Sequence, residues 1–425
     1  MAASRRETIE AIYRAAIDQV EAGVAVSRVL SRETDHALTV GDQTLDIGDS
    51  GVWAIAIGKA GCQMMASVET IAGDRFAGGL VVTKSVPVDI QLRSEILVGS
   101  HPVPDARSLE AGDRLIDFVR TVPDGALVIC LISGGGSALA DALRPGVTLE
   151  QLRDITATLL RSGASIGEMN AVRARLSRIK GGGLLALLNG RRVVNLIISD
   201  VLGNPLQVIA SGPTVMPDRH EVAGEVVRRY ALDITLPTET RMDLTPPLMT
   251  LIIADINAAL AASADAARQM GLAAHVLTSS VDIEARQAGR LFGGIVADVA
   301  RGRGTLTTPC CILAGGETVV TLRGGGIGGR NCEAAVAAAI AIAGIEDCVV
   351  GCLATDGDDG TSGAAGGIVD GTTLHDRRTA EAALAGNDTY PWLRGRGAAF
   401  ETGPSGTNVN DLFIGIVAPA DWTPD

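Results

Sequence analysis

Short unbroken apolar runs alternate with longer segments of helical spacing along most of the chain. The runs "VWAIAIG" (52–58), "AGGLVVT" (77–83), "ALVICLIS" (126–133), "VVNLIIS" (193–199), "AAHVLTSS" (273–280) and "CVVGCLA" (348–354) predict strands. Between them, "SLEAGDRLIDFVRTV" (108–122) sets Leu109, Leu115, Phe118 and Val119 on one side of a helix. "LEQLRDITATLLRSG" (149–163), "MNAVRARLSRIKGGGLLALL" (169–188), "DINAALAASADAARQMG" (255–271) and "ARQAGRLFGGIVADVAR" (285–301) read as helices too. This alternation predicts an α/β protein with mostly parallel, doubly wound sheets, which bind ligands at the carboxyl ends of their strands. It breaks at 232–247, "LDITLPTETRMDLTPP", a linker or surface excursion that would divide a domain at 1–240 from one at 250–425.

Composition narrows the picture. A chain of 425 residues favours two domains. Aromatic content of 3% leaves little for stacking nucleic acid bases, and a net charge of −13 opposes binding a polyanion. Seven scattered cysteines without a C-x-x-C fit reduced thiols and a cytoplasmic protein. Arg5, Arg6, Glu7 and Glu10 among apolar residues make the first segment an amphipathic helix, not a secretion signal. The apolar run at 334–345 is too short for a bilayer, so no membrane partner is expected.

Glycines cluster where the predicted strands end. In "SGGGS", Ser133, Gly134, Gly135, Gly136 and Ser137 form a turn whose backbone amides could cradle an anion, although no P-loop lysine follows. Lys59, after Gly58, could supply the missing cation; alone it reads as a surface lysine. "GSHPVPDARS" (99–108) is explained by proline rigidity and an Asp105 helix cap, with His101 a lesser candidate base. Three- and four-residue spacing sets Asn170, Arg173, Ser177 and Lys180 on one helical face, either a solvated basic face or an anion contact. Asp200, ending a strand, could hold a metal or cap a helix.

Gly324, Gly326 and Gly329 spell G-x-G-x-x-G after the strand-like "TVVTL", the dinucleotide fingerprint, so an oxidoreductase stays in view. Arg330 at the following helix start instead suggests bidentate capture of a carboxylate or phosphate. In "LATDGDDGTSGAAGG" (353–367), Asp356 is a candidate magnesium ligand or base, and Asp359-Gly360 an ordinary turn pair.

Taken in order, "GKA" (58–60), "SHPVPD" (100–105), "SGGGSAL" (133–139), "NAVRARLSRIKGG" (170–182), "ISDVLGN" (198–204), "SGPT" (211–214), "GGRNCE" (328–333), "TDGDDGTS" (355–362) and "GTNVNDL" (406–412) resemble the glycerate 2-kinase family. That family joins a DUF4147-like N-terminal domain to a C-terminal domain containing the MOFRL region, here about 310–418. The resemblance implies two α/β domains around an active-site cleft. The implied reaction is ATP- and Mg²⁺-dependent phosphorylation of D-glycerate at its 2-hydroxyl. It makes Lys59 and Arg330 the central cations. Asn331, Glu333, Arg173, Lys180 and Asn408 are further candidate substrate contacts, and a homodimer is a candidate assembly. Two positions depart: Ile327 stands where the family often has lysine, and Cys332 where it often has glutamine. The rival readings are a hydroxypyruvate reductase acting on the same small acid and a non-catalytic ligand sensor. On the kinase reading, Lys59→Ala and Arg330→Ala should abolish turnover and leave thermal unfolding nearly unchanged.

Overall fold

The computed structural model describes residues 4–216, 221–238 and 244–424; residues 239–243 of the predicted linker lie outside them. Two compact units emerge, one of residues 22–253 and one of residues 4–21 together with 254–424.

The first unit carries a small antiparallel meander, β1 (Leu30–Thr34), β2 (Ala37–Val40) and β3 (Gln43–Asp46). Its main sheet holds β4 (Val52–Ile57), β5 (Phe76–Thr83), β6 (Glu95–Val98), β7 (Leu127–Ile132), β8 (Arg192–Ile198) and β9 (Met249–Ala254), in the order β6-β5-β4-β7-β8-β9. From β6 across to β8 the strands run parallel, as the alternation predicts. Every residue of β7 is buried, which explains why "LVICLI" shows no polar alternation. On one face Leu115, Ile116 and Val119 of helix Ala106–Thr121 join Val128, Cys130 and Ile132 in a common core. Helix Gly61–Ala72, with Met64, Met65 and Val68 buried, also packs against β4, β5 and β7. Asp105 caps helix Ala106–Thr121 as expected.

The strand order contains a switch point. From β4 the chain winds outward through β5 to β6, then returns to lay β7 on the other side of β4. The winding reverses between β4 and β7, and at such a switch point loops diverge from neighbouring carboxyl ends and leave a crevice. Those two ends carry Gly58-Lys59 and the 133–137 turn.

The second unit holds β10 (Ala273–Val281), β11 (Cys310–Gly316), β12 (Cys348–Ala354), β13 (Gly366–Asp370), β14 (Ala399–Phe400) and β15 (Asp411–Val417), in the order β10-β11-β15-β12-β13-β14. Here the mostly parallel expectation fails. Only β10 and β11 are parallel; β15 slots antiparallel between β11 and β12, and β13 and β14 follow antiparallel. The reason is connection length, since β12 returns to β13 through a glycine-rich turn with no crossover helix, and such a return pairs antiparallel.

The alanine run after Arg330 forms helix Arg330–Ala341, in which Asn331 to Ala339 are buried. It lies so close to helix Ala285–Ala300 that a Cβ at Gly289 would stand 2.0 Å from the Ala334 carbonyl. Among the described residues no helix is long and apolar enough to cross a membrane. Helix Arg5–Val20, closed by a Ser4/Glu7 capping box, joins this unit by packing on helix Ile256–Gln269 and donating the Tyr13 hydroxyl to the Ala354 carbonyl at 2.9 Å. All seven cysteines are buried free thiols.

Candidate functional site

In the first unit two loops are stitched together at the switch point. The Lys59 N–H donates to the Gly134 carbonyl at 2.9 Å, the Ser133 N–H to Ile57 at 3.0 Å, and the Ala60 N–H to Ser133 Oγ at 3.2 Å. Gly58 sits at φ +140°, and a Cβ there would lie 2.1 Å from Ser133 Oγ. Gly58 and the Ser133 hydroxyl therefore hold the loops in contact rather than face a ligand. The next four amides, Gly134 to Ser137, donate to no acceptor among the described residues.

Three side chains converge on this turn. A Cβ built on Gly135 would lie 3.2 Å from Lys59 Cγ and 3.1 Å from His101 Cδ2, and one on Gly134 would lie 2.0 Å from Asp200 Oδ2. Lys59 is half-buried and forms no ion pair among the described residues. Burial, then the charges of Lys59 and Lys84, push the His101 imidazole down to about 4, so it stays neutral at neutral pH. The sequence ranked His101 low because only the fold brings its loop over Gly135.

The predicted basic face does not survive intact. Helix Ile166–Leu176 ends because Ser177 is extended (φ −105°, ψ 152°), so Ser177 and Lys180 leave the face that Asn170 and Arg173 share. Lys180 turns inward and pairs with Asp141, which also accepts from Ser177 Oγ at 2.6 Å; Lys180 and Asp141 are 4% and 1% exposed. Burial drives the Lys180 pKa down, opposed by Asp141. This enclosed pair is structural, and Asp141, set in the apolar string "ALADAL", gave no signal of it. Arg173 is half-buried, and its guanidinium has no hydrogen bond or ion pair among the described residues, so it can meet an anion.

In the second unit Arg330 opens helix Arg330–Ala341. Its Nε donates to both oxygens of Asp411, at 2.9 and 2.7 Å, and Nη1 reaches Glu317 at 3.4 Å. Asp411 is fully buried and also accepts from Asn331 Nδ2 at 2.8 Å. Burial works against the Arg330 charge, but Asp411 and Glu317 outweigh it and hold the pKa above its usual value. The guanidinium is fixed through Nε, while Nη2 has no acceptor among the described residues.

Asp359 is not an ordinary turn residue. Its carboxylate accepts the N–H groups of Asn331 and Cys332, at 2.9 and 2.8 Å, and caps the helix. Burial raises its pKa to about 6, against the pull of those two amides. Asp359→Ala leaves two buried donors unpaired and should cost about 2–4 kcal/mol. Because the folded pKa lies above the unfolded value, the acid form adds stability at low pH that is lost as pH rises through about 6. Denaturant unfolding should thus show a wider gap between wild type and Asp359→Ala at pH 5 than at pH 7.5.

The glycine fingerprint is also corrected. β11 ends at Gly316, and "TVVTL" is irregular apart from one isolated bridge at Val319, so no strand leads into it. The amides of Arg323 and Gly324 donate to Asn387 Oδ1, and that of Ile327 to Asp388 Oδ1. Asp359 fills the helix start, so the loop offers no open seat for a pyrophosphate. Glu333 is 1% exposed and bound to Arg286 at 2.7 Å and Asn387 at 3.1 Å, which makes it a structural anchor rather than a substrate contact. Asn331 is likewise buried, on Asp359 and Asp411, while Asn408 accepts the Asn410 N–H at 3.2 Å in a half-buried loop. Asp356, at the end of β12, is half-buried and accepts the Asp358 N–H at 3.1 Å.

A family model described as Domain of unknown function (DUF4147) matches residues 8–245, and one described as MOFRL family matches residues 310–411. The chain is 39% identical to D-glycerate 2-kinase of Thermotoga maritima over 85% of this chain and 90% of that one. It is 36% identical to an Agrobacterium vitis protein bearing a hydroxypyruvate reductase name, over 96% and 94%. The crystal structure of glycerate kinase from Thermotoga maritima superposes with a TM-score of 0.86 at 36% identity, covering 97% of this chain and 99% of that one.

Proposed function

The chain belongs to the glycerate 2-kinase family, and on that premise we propose that it transfers the γ-phosphoryl group of ATP to the 2-hydroxyl of D-glycerate. The observation that carries the site assignment is the switch-point turn, where the unsatisfied amides of Gly134 to Ser137 lie beside the stem of the half-buried Lys59. Phosphoryl transfer asks a protein mostly for positioning and charge neutralisation. The turn amides cradle phosphate oxygens, Lys59 neutralises the charge on the transferring group, and neutral His101 adds no second cation. Arg173 adds one from the helix flank. Arg330, clamped through Nε by Asp411, offers its Nη2 edge to the glycerate carboxylate, with Asn408 as a further polar contact.

The donor set fits Mg²⁺, which takes one or two carboxylates and completes its shell with water and substrate phosphate. Asp200, lying against Gly134 at the turn, would hold it, and when bound it screens the charge on the phosphate oxygens. Asp356 is then the carboxylate that accepts the proton of the 2-hydroxyl.

A coupled assay tests the reaction. ADP and 2-phosphoglycerate should appear with ATP and D-glycerate, without NADH oxidation in the presence of hydroxypyruvate. NADH oxidation without ADP release would establish the reductase instead, and the filled glycine fingerprint argues against it.

A further inference from the structure

A cavity of about 410 Å³ opens in the first unit, walled by Ala171 and Ala174 of helix Ile166–Leu176 on one side and by Val208, Val215 and Met216 on the other. That volume suits a small organic ligand. Its lining is apolar except for a few groups, and one of these is unusual. Asn170 is 8% exposed and lines the cavity, yet its Nδ2 has no hydrogen-bond partner. A buried, unpaired amide donor calls for an explanation, and a ligand acceptor supplies one.

The cavity is wired to the phosphate turn. Asn170 Oδ1 accepts from Ser211 Oγ at 3.0 Å, and Ser211 Oγ lies 2.7 Å from Ser137 Oγ. Ser137 is the last residue of the unsatisfied amide series. Ser211 owes its place to a left-handed run, Ala210 at φ 50°, Ser211 at φ 61° and Gly212 at φ 57°. The Gly181 and Gly182 amides clamp it by donating to the carbonyls of Ser211 and Gly212, at 2.9 and 2.8 Å. Non-glycine residues in that region are strained, and strain of this kind clusters at ligand clamps. This gives the "KGGG" and "SGPT" strings one task, which is to hold Ser211 between the turn and the cavity.

We infer that this cavity is the base subsite of the nucleotide. The adenine ring lies between the alanines of the helix and the 208–216 segment, Asn170 Nδ2 donates to an acceptor nitrogen on the ring edge, and the phosphates run to the Gly134–Ser137 turn. The inference rests on the kinase reading for the identity of the nucleotide, but it is testable without turnover.

Calorimetric titration of the whole protein with ADP, and with inorganic pyrophosphate as its base-free counterpart, separates the subsite from the turn. Wild type should bind ADP at least tenfold more tightly than pyrophosphate. Ala174→Leu, which fills the slot, and Met216→Asp, which places a charge on its exposed rim, should each weaken ADP binding tenfold or more. Pyrophosphate affinity should stay within threefold. Met216 is 41% exposed, so its variant keeps the test open if Ala174→Leu fails to fold. Equal wild-type affinities for ADP and pyrophosphate, unchanged ADP binding in the folded variants, or a parallel loss of both ligands would each overturn the assignment. Intact base-dependent binding without phosphorylation of glycerate would overturn the kinase reading and leave the subsite standing.

Discussion

Lys59→Ala is expected to lower kcat by about 10²–10³-fold while the thermal midpoint moves by no more than about 2 °C. The two halves of this expectation have separate causes. Lys59 is half-buried at the end of β4 with no ion pair among the described residues, so no buried charge is orphaned by its removal. Its loop is held by backbone bonds to Gly134 and by the Ser133 hydroxyl, which alanine at position 59 preserves. On the proposed site the catalytic loss follows from taking away the cation assigned to the charge that spreads over the transferring phosphate, a removal worth about 2.7–4 kcal/mol by comparison with a lost oxyanion donor. Lys59→Arg should not restore the rate, because the lysine stem already lies against Gly135 and a planar guanidinium needs more room. Steady-state kinetics and thermal melts on the same preparations decide it, and a kcat within tenfold of wild type would remove Lys59 from the chemistry.

Arg330→Ala should cost both activity and fold, which reverses the expectation of unchanged unfolding drawn from the sequence. The Arg330 guanidinium is the principal partner of Asp411, whose side chain has no exposure to solvent. Removing one member of a buried ion pair strands the other, at about 3–5 kcal/mol. For a unit of this size that is a fall of roughly 6–20 °C in the melting midpoint. Arg330→Lys retains a charge near Asp411 but loses the fork, so it should recover much of the stability and little of the turnover. Circular dichroism melts alongside the ADP-release assay separate the two effects. An alanine variant as stable as wild type would mean that Asp411 is satisfied without Arg330.

The sequence by itself determined the α/β class and the presence of a Gly58-Lys59 turn, a "SGGGS" turn and an arginine at a helix start. Those features follow from local causes: strand runs buried on both faces need no polar alternation, and glycine turns announce themselves by composition. Nine ordered strings then carried the family. Tertiary structure alone decided the rest. It reversed strands of the second sheet by inserting β15 between β11 and β12, and it turned Lys180 and Glu333 inward onto Asp141 and Arg286. It also converted Asp359 from a turn residue into a cap and closed the glycine fingerprint with Asn387 and Asp388. Each of these depends on a partner distant in the chain, and helical or strand periodicity describes only the face a residue occupies on its own element. Whether a charged side chain meets solvent, a ligand or a buried counter-charge is set by what the fold brings opposite it, and that is why Lys59 and Lys180, alike in composition, end in different roles.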